Sequence, residues 1–437
     1  MKIAIISLGC PKNQVDADVF CHALLKRGHT TVPTLEQADC IIINTCGFIE
    51  SAKAESIENI LTACSVKKEN KKIKVVVTGC LAERYRDELA KEIPEVDAVV
   101  GIGCNADLCD IIDKLGDEQL QCYNEKSLLP LGGKRIISTP SHYAYLKISE
   151  GCNNRCHYCA IPLIRGGLRS RDMAEIIAEA NWLVSEGVKE IILVAQDITA
   201  YGDDTGVNMS AQLLRELNKV KGLKWLRLLY AYPEKITDEF IAAIAECDKI
   251  LPYLDVPIQH INSEVLKNMN RKGDKNTVLN ALDRLRKAMP NIVLRTTLIT
   301  GYPGETEQQF LELCDFVKLY KFDRLGCFAY SQEEDTVAAT MPNQVDEDVR
   351  EQRAEIIMRI QAEIMAKKQS DKVGQKLEVI CDGFDTDENL YICRTAADAP
   401  DIDTLCYVKS ETPLVTGEFY TCTVDESDEY DLFATIY

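Results

Sequence analysis

The sequence predicts a mixed α/β chain in three parts: a doubly wound parallel sheet, a partial TIM-type α/β barrel and a small all-β barrel. The first two parts are predicted by strand signals that alternate with helical segments over 1–128 and, more often, over 140–366. The third is predicted by 370–437, where short β-rich runs follow one another without a helix signal. We therefore expect three domains with these bounds.

The first region contains four apolar runs that each predict a buried strand. They are KIAIISLGC, CIIINTC, KVVVTGC and DAVVGIG, and helix-like segments at 15–26, 49–66 and 81–91 follow the first three. Strands separated by helices pair in parallel, since each crossover returns the chain to the same end of the sheet. The region therefore predicts an open parallel sheet with helices on both faces.

The second region repeats this alternation and ends in a long charged helix. Its strand candidates are 144–148, 190–195, 225–229, 253–256, 292–299 and 324–329, with helical segments at 173–185, 210–220 and 238–246. Six or so βα units suit a complete or partial barrel, in which functional groups collect at the carboxyl ends of the strands. The stretch 345–369 carries Ile356, Ile360 and Ile364 at helical spacing, which predicts the trailing helix.

Composition and charge restrict the class of protein. The chain has 437 residues, of which 46% are apolar and 27% charged, and no stretch approaches the ~18 apolar residues that span a membrane. The start, MKIAIISLGC, is too short in its apolar run for a signal peptide, so we expect a cytoplasmic protein. The net charge is −19, and 371–437 holds 16 Asp and Glu against 4 Lys and Arg. This charge argues against direct nucleic-acid binding and favours a basic partner.

Three of the 19 cysteines form a tight loop. Cys152, Cys156 and Cys159 have the spacing Cys-x3-Cys-x2-Cys directly after the first predicted barrel strand. Thiolates suit zinc or an iron–sulfur cluster, and the paired knuckles of a structural zinc site are absent from the sequence. Three ligands on a four-iron cluster leave one iron open for a substrate or cofactor. We call these residues the loop triad and predict that they hold a 4Fe–4S cluster.

A second set of cysteines follows the strands of the first region. Cys10, Cys46 and Cys80, the amino-terminal triad, each end a predicted strand. Carboxyl ends of parallel strands meet at one edge of a sheet, so the three thiols are predicted to converge on a second cluster. The alternative is a row of small buried residues. Cys21 and Cys64 fall within helical segments, where core packing is the better explanation.

The loop SEGCNNRCHYC resembles the signature of the radical S-adenosylmethionine superfamily, including an aromatic residue, Tyr158, before the last cysteine. The resemblance implies that the open iron chelates the amino and carboxylate groups of S-adenosylmethionine. One-electron reduction then yields a 5′-deoxyadenosyl radical that abstracts hydrogen from the substrate. It also implies an external reductant of the flavodoxin or ferredoxin type.

The rest of the chain resembles the methylthiotransferases within that superfamily. The similar motifs are GCPKN (9–13), NTCGFI (44–49), TGCLAERY (78–85), RSR (169–171) and TGYPGET (300–306). The family adds a CH3–S group at an unactivated C–H carbon and ends in a small β-barrel called TRAM. The resemblance implies that the amino-terminal triad holds a second 4Fe–4S cluster, which carries the inserted sulfur.

Three segments are similar to the branch that modifies the β-carbon of an aspartate in the twelfth protein of the small ribosomal subunit. They are GCPKNQVDAD (9–18), LDVPIQH (254–260) and ADAPDID (397–403). Gln14 and Asp16–Asp18 depart from the commonest form of the first motif. The acidic tail suits a basic ribosomal protein. The alternatives are a transfer-RNA methylthiotransferase, a non-catalytic iron–sulfur carrier, and an acidic surface without a partner.

Several polar residues are candidates for contact with S-adenosylmethionine. Gln196 and Asp197 follow one barrel strand and Tyr232 follows the next, on the predicted catalytic rim. Arg171 and Arg295 are candidates for bidentate pairing with the carboxylate of the cofactor, and Tyr158 lies in the cluster loop. Each of them has a structural alternative as a satisfied polar group at the end of the barrel.

Overall fold

A computed structural model describes residues 1–436 and divides the chain into two compact units. The first unit comprises Met1–Ser138, Lys147–Arg171 and Glu333–Thr336. The second comprises Thr139–Leu146, Asp172–Gln332 and the chain from Val337 onward. The loop triad therefore belongs to the same unit as the amino-terminal triad. No helix among the described residues is long and apolar enough to cross a membrane.

The amino-terminal region is a parallel sheet with helices between its strands, as predicted. Its elements are β1 (Lys2–Ser7), α1 (Pro11–Lys26), β2 (Thr30–Thr31), β3 (Cys40–Thr45), α2 (Glu50–Glu69), β4 (Lys74–Gly79), α3 (Cys80–Arg84), α4 (Arg86–Glu92), β5 (Ala98–Val100), α5 (Leu108–Asp113) and β6 (Leu120–Cys122). The strand order is β2-β1-β3-β4-β5-β6, and every pairing is parallel. The sequence did not predict β2 and β6, whose two and three residues are too few to show a periodic pattern.

Both faces of this sheet are buried. Ile41 and Ile43 of β3 pack into one apolar cluster with residues of α2. Cys40 and Ile42 of the same strand pack into a second cluster with residues of α1. Successive side chains of a strand point to opposite faces, so a continuous apolar run needs cover on both sides. This burial explains the doubly wound arrangement.

The central region forms a second sheet of six strands in the order β14-β13-β12-β11-β10-β7. Its elements are β7 (Tyr143–Lys147), β8 (Ser149–Glu150), α6 (Ile161–Arg165), β9 (Arg169–Ser170), α7 (Met173–Ser185), β10 (Glu190–Val194), α8 (Ser210–Asn218), β11 (Trp225–Leu228), α9 (Asp238–Glu246), β12 (Ile250–Asp255), α10 (Ser263–Asn268), α11 (Lys275–Ala288), β13 (Val293–Thr300), α12 (Glu307–Tyr320), β14 (Arg324–Ala329) and α13 (Glu347–Ser370). The strands from β10 to β14 pair in parallel. The six predicted strands and the trailing helix are confirmed, and the sheet is an incomplete barrel.

The tail forms a closed barrel of five strands in the order β15-β16-β17-β19-β18. The strands are β15 (Lys376–Asp385), β16 (Leu390–Thr395), β17 (Cys406–Ser410), β18 (Phe419–Ser427) and β19 (Leu432–Ile436). Four cysteines fill its interior together with Val379, Val408 and Val424; they are Cys381, Cys393, Cys406 and Cys422. These buried thiols fill core space, as free cysteines commonly do, and Cys381 and Cys422 also donate to the carbonyls of Gly383 and Leu377 at 3.6 Å.

The acidic segment between β16 and β17 packs against strands of the second sheet within the second unit. Asp398 pairs with Arg324 at the start of β14, and Asp403 pairs with Arg295 of β13 at 3.5 Å. Asp403 also accepts a hydrogen bond of 2.6 Å from the Tyr253 hydroxyl. The acidic tail as a whole was expected to suit a basic partner. Two of the three carboxylates of the ADAPDID segment neutralise arginines, so they are not available to a partner.

Candidate functional site

The amino-terminal triad lies at the carboxyl ends of three adjacent strands. Cys10 follows β1 and is the residue before α1, Cys46 follows β3, and Cys80 follows β4 as the first residue of α3. The strands β1, β3 and β4 are neighbours in the sheet. Three turns that are distant in the sequence therefore present one thiol each at the same edge of one sheet.

Two glycines allow these turns to approach each other closely. Gly9 has a φ of +86°, and a Cβ atom at this position would lie 2.9 Å from the Sγ atom of Cys46. A Cβ atom on Gly47 would lie 2.8 Å from the Cα atom of Leu81, the residue after Cys80. Side chains at these positions would force the turns apart. The contacts join the Cys10 turn to Cys46, and the Cys46 turn to Cys80.

The three thiols also act on one another electrostatically. Burial would raise the pKa of Cys10, but the charges of Lys12 and Arg165 lower it below its ordinary value. Burial raises the pKa of Cys46, and the neighbouring Cys10 adds to the increase. Burial raises the pKa of Cys80 to about 12, partly opposed by Arg165. The thiolate is the form that binds metal. The lowered pKa favours ionisation of Cys10, and the raised pKa values of Cys46 and Cys80 oppose theirs.

Arg165 lies beside this triad at the end of α6 and is 2% exposed. Its Nη2 atom lies 3.4 Å from the Sγ atom of Cys80 and donates to the Oδ1 atom of Asn13 at 3.0 Å. Its Nη1 atom donates to Asp16 at 2.7 Å and to Glu150 at 2.9 Å. One buried guanidinium thus contacts the Cys80 sulfur, helix α1 and the strand that precedes the loop triad.

The loop triad is held by its own backbone. The amide of Asn154 donates to the Cys152 sulfur at 3.5 Å, and the amide of Ile161 donates to the Cys159 sulfur at 3.4 Å. The antiparallel pair β8–β9 closes the base of the loop. Burial raises the pKa of Cys159, and the charges of Cys156 and Cys152 raise it further. Amide donors directed at cysteine sulfurs are a feature of iron–sulfur sites, where they tune the cluster.

The donor set of both triads fits iron–sulfur clusters. Each triad offers three thiols; amides donate to Cys152 and Cys159 of the loop triad, and a guanidinium donates to Cys80 of the amino-terminal triad. Among residues 1–436, no group of three or more His, Cys, Asp or Glu is arranged around a single metal ion. Cys80 packs against Ala160, the residue after Cys159, and against Ile164 of α6. The two triads therefore adjoin one another within the first unit.

Three of the candidate cofactor contacts lie at the carboxyl ends of strands in the second unit. Gln196 and Asp197 follow β10, and the Asp197 carboxylate accepts the backbone amide of Thr199 at 3.0 Å. The amide of Tyr232 donates to the Thr199 hydroxyl at 3.3 Å, so Asp197 and Tyr232 share one partner. The guanidinium of Arg271 lies 3.8 Å from the centre of the Tyr232 ring. The structure brings these candidates together at one rim.

The remaining candidates lie in different surroundings. Tyr158 belongs to the loop triad segment in the first unit. Arg171, also in the first unit, is buried and donates to the carbonyl of Lys147 at 2.6 Å. Arg295 lies in the second unit near the amino end of β13, where it pairs with Asp255 at 3.0 Å and with Asp403. Its guanidinium thus has two carboxylate partners within the protein.

Sequence reasoning missed the buried polar residues around Arg165. Asp16 and Glu150 each pair with both Arg165 and Lys147, and all four side chains are at most 3% exposed. A signal was present on α1, where Asn13 and Asp16 are three residues apart and share one face of the helix. Neither the burial of that face nor its partners can be deduced from helical spacing, because the partners come from a distant part of the chain.

Comparisons with known proteins match three families along the chain. Residues 146–317 match the Radical SAM superfamily, residues 2–101 match Uncharacterized protein family UPF0004, and residues 373–436 match the TRAM domain. A solved radical S-adenosylmethionine methyltransferase, TsrM from Kitasatospora setae, is similar with a TM-score of 0.59 at 13% identity. This match covers 75% of the present chain and 72% of TsrM, and it supports the fold alone.

Close relatives cover the whole chain. A protein of Acetivibrio thermocellus named "Ribosomal protein uS12 methylthiotransferase RimO" is 46% identical over 100% of this chain and 98% of its own length. A protein of the same name from Clostridioides difficile is 46% identical over 100% of this chain and 99% of its own. The superfamily match implies a 4Fe–4S cluster and S-adenosylmethionine as cofactors. The fold, the cysteine triads and this full-length similarity agree, and the chain belongs to the RimO family of radical SAM methylthiotransferases, which are transferases.

Proposed function

We propose that this chain methylthiolates an aspartate of ribosomal protein uS12 and uses two 4Fe–4S clusters to do so. The observation that carries the proposal is the convergence of six thiols within the first unit, three at the edge of a parallel sheet and three in the loop after β8. Relatives that share this chain from end to end are named for that substrate. An iron–sulfur carrier would have no need of a second, separately built cluster site and a TRAM domain.

We assign the two triads different tasks. Cys152, Cys156 and Cys159 would hold the cluster at which S-adenosylmethionine binds, and Cys10, Cys46 and Cys80 would hold the cluster that carries sulfur. When bound, the first of these clusters supplies the electron that cleaves the cofactor. The amides of Asn154 and Ile161 hold the loop sulfurs in place for it. Tyr158, Arg171, Gln196, Asp197, Tyr232 and Arg295 remain our proposed contacts for S-adenosylmethionine.

The tail presents a surface that suits a basic protein. The rings of Tyr407 and Phe433 stack on the outer side of the barrel with centroids 5.6 Å apart. Glu426 is the cross-strand partner of Phe433. The other carboxylates near these rings are Asp385, Glu388, Asp428 and Asp431. We call this group of two rings and five carboxylates the acidic face.

The composition of the acidic face favours Lys and Arg side chains in a partner. Burial raises the pKa of Tyr407, and the carboxylates of Asp431, Asp385, Asp428 and Glu388 raise it further, which reflects a locally negative potential. Cations gain from both carboxylates and aromatic rings, whereas phosphate is repelled. A ribosomal protein rich in basic residues fits this surface better than a nucleic acid does.

The proposal also concerns partners and place of action. An external reductant of the flavodoxin or ferredoxin type would deliver the electron, and ribosomal protein uS12 would be met in the cytoplasm, where ribosomes assemble. The three domains predicted from the sequence, 1–128, 140–366 and 370–437, would then supply sulfur, radical chemistry and substrate recognition respectively.

The test is an anaerobic incubation of the reconstituted enzyme with S-adenosylmethionine, dithionite and uS12. Mass spectrometry should show a gain of one CH2S unit on a single aspartate, together with 5′-deoxyadenosine. A parallel reaction replaces uS12 with total transfer RNA. Modification of the RNA and not of the protein would keep the reaction class and refute the proposed substrate. Absence of 5′-deoxyadenosine from both reactions would refute the proposed chemistry.

A further inference from the structure

We propose that Arg165 is a positioning residue that joins the two cluster-binding segments and donates a hydrogen bond to the Cys80 ligand of the sulfur-carrying cluster. This inference rests on the proposed assignment of the amino-terminal triad to a cluster. It assigns a role to a side chain that does not itself ligate iron.

The first part of the argument is the contact of Arg165 with the amino-terminal triad. Nη2 lies 3.4 Å from the Cys80 sulfur and 3.0 Å from Asn13. The Asn13 amide in turn donates to the carbonyls of Leu8, at 2.7 Å, and of Thr45, at 3.3 Å. Leu8 and Thr45 lie just before Cys10 and Cys46 in the sequence. Through Asn13, Arg165 therefore reaches the turns that present all three thiols.

The second part is the attachment of Arg165 to the loop triad. It is the last residue of α6, a helix that begins two residues after Cys159. Its Nη1 atom donates to Glu150, which lies in β8 two residues before Cys152. Both ends of the cysteine loop are thus tied to the same guanidinium, one through the chain and one through an ion pair.

The third part is the charge around Arg165. Lys147 pairs with Asp16 and with Glu150, and Arg165 pairs with the same two carboxylates. Arg169 also interacts electrostatically with both carboxylates. Removal of the Arg165 charge makes this buried group more negative by one unit, next to ligands that must be thiolates, which is costly in a buried site. The remaining negative charge disfavours addition of an electron to a cluster held there.

Lysine does not satisfy the same contacts. The guanidinium fork of Arg165 reaches Cys80, Asn13, Asp16 and Glu150 from two nitrogen atoms that point in fixed directions. A lysine ammonium is a single point charge and cannot span this set. Arg165→Lys therefore separates the effect of charge from the effect of geometry.

The experiment uses the full-length chain with Cys152, Cys156 and Cys159 all replaced by Ala, so that only the amino-terminal triad can bind a cluster. After anaerobic reconstitution this parent should hold about four iron atoms. We expect Arg165→Gln to reduce the iron content at least twofold and to shift the midpoint potential of the remaining cluster to a more negative value. Arg165→Lys should recover the iron content in part, with an altered electron paramagnetic resonance spectrum of the reduced cluster.

The matched control is Arg227→Gln, which removes a buried arginine that pairs with Glu190 in the second unit at 2.6 Å. This variant also loses a buried ion pair, but it should keep the parent's iron content, potential and spectrum. Loss of iron in both variants to the same extent would make Arg165 merely structural and overturn the inference.

Two further outcomes separate the inference from the proposal on which it rests. If the parent binds about four iron atoms and Arg165→Gln has the same iron content, potential and spectrum, the role of Arg165 is wrong and the cluster stands. If the parent binds no iron, the assignment of the amino-terminal triad fails, and the inference fails with it.

Discussion

The 19 cysteines of the chain differ in the backbone that surrounds them. Cys21 and Cys64 are buried within helices, and Cys64 belongs to an apolar cluster, where a thiol packs like a small hydrocarbon. The six proposed ligands lie in turns after strands, and amide or guanidinium donors approach at least three of their sulfurs. Placement after a strand does not by itself mark a ligand, because Cys104 follows β5 and Cys122 ends β6, and the six remain proposed ligands.

The two triads should respond differently to substitution. We expect Cys46→Ala to retain reductive cleavage of S-adenosylmethionine and to lose formation of the thiolated product, because only the sulfur-carrying cluster is removed. Cys159→Ala should lose both. The measurement is 5′-deoxyadenosine by chromatography alongside product mass, with Cys64→Ala as a control cysteine from helix α2. Full product formation by Cys46→Ala would contradict the assignment of Cys46.

Gly79, the residue before Cys80, should be essential to the backbone that presents the amino-terminal triad. Gly79 has a φ of +94°, and a Cβ atom there would lie 2.5 Å from the backbone nitrogen and oxygen of Thr45. Gly79→Ala should lower the free energy of unfolding by about 3 kcal/mol, since the clash adds to backbone strain. Gly28 has a similar φ of +91° with no atom within 4 Å, so Gly28→Ala should cost about 1 kcal/mol. Urea unfolding of the apo-protein compares them, and equal midpoints would refute the steric argument.

At the scale of elements, the sequence predicted the strands that show alternating apolar residues or a continuous apolar run. All six residues of β3 are buried, and its run CIIINT is evident in the sequence. The same reasoning did not reach the acidic segment after β16, whose docking depends on Arg324 and Arg295 in strands far away along the chain. It also did not reach Arg165, which is 149 positions from Asp16. Ion pairs between residues far apart in the sequence produce no periodic pattern from which they could be predicted.

The docked segment makes stability depend on one carboxylate. Burial of Asp398 would raise its pKa, but Arg324 and Lys372 lower it to about 2. Asp398→Asn leaves Arg324 buried without this counter-charge, and we expect a loss of about 3 kcal/mol in the free energy of unfolding at pH 7. Arg215→Gln, which removes a half-exposed ion pair with Glu239, should cost well under about 1 kcal/mol.

The loss of unfolding free energy in Asp398→Asn should depend on pH, because the pKa of Asp398 is shifted by folding. The pKa of Asp398 is lower in the folded chain than its ordinary value of 3.8. The ionised form is therefore favoured by folding, and its contribution is complete above about pH 4 and is lost as the pH falls toward about 2. Urea titrations of the wild type and of Asp398→Asn should give a constant difference from pH 7 to about pH 4. A difference that persists undiminished below that range would show that the ion pair is not its origin.

Over the whole molecule, charge is distributed unevenly and only part of it is available to a partner. The stretch 371–437 carries 16 acidic residues against 4 basic ones. Three of these carboxylates form ion pairs with arginines: Asp382 with Arg394, Asp398 with Arg324, and Asp403 with Arg295. From the sequence, the total charge of the tail predicted a basic partner. In the structure, only the exposed carboxylates can attract one. The acidic face holds five of the thirteen carboxylates that remain.

Reversal of charge on the acidic face should impair recognition and leave radical generation intact. Glu388 is exposed near Tyr407, and Glu426 is exposed opposite Phe433. The double variant Glu388→Lys with Glu426→Lys should lower kcat/KM for uS12 about tenfold at low salt, because repulsion slows encounter with a basic protein. The effect should shrink as ionic strength rises and the Debye length falls below about 8 Å. Uncoupled formation of 5′-deoxyadenosine should not change.

The matched control places the same change of net charge on the first unit. Glu36 and Glu69 are exposed there, and Glu36→Lys with Glu69→Lys alters the total charge equally. If charge acts through the acidic face, only the tail variant should lose kcat/KM, and the loss should disappear at high salt. Equal losses in both double variants would mean that the net charge of −19 attracts the substrate without a defined surface. No loss in either would remove electrostatics from recognition and leave shape and hydrogen bonding as the basis of specificity.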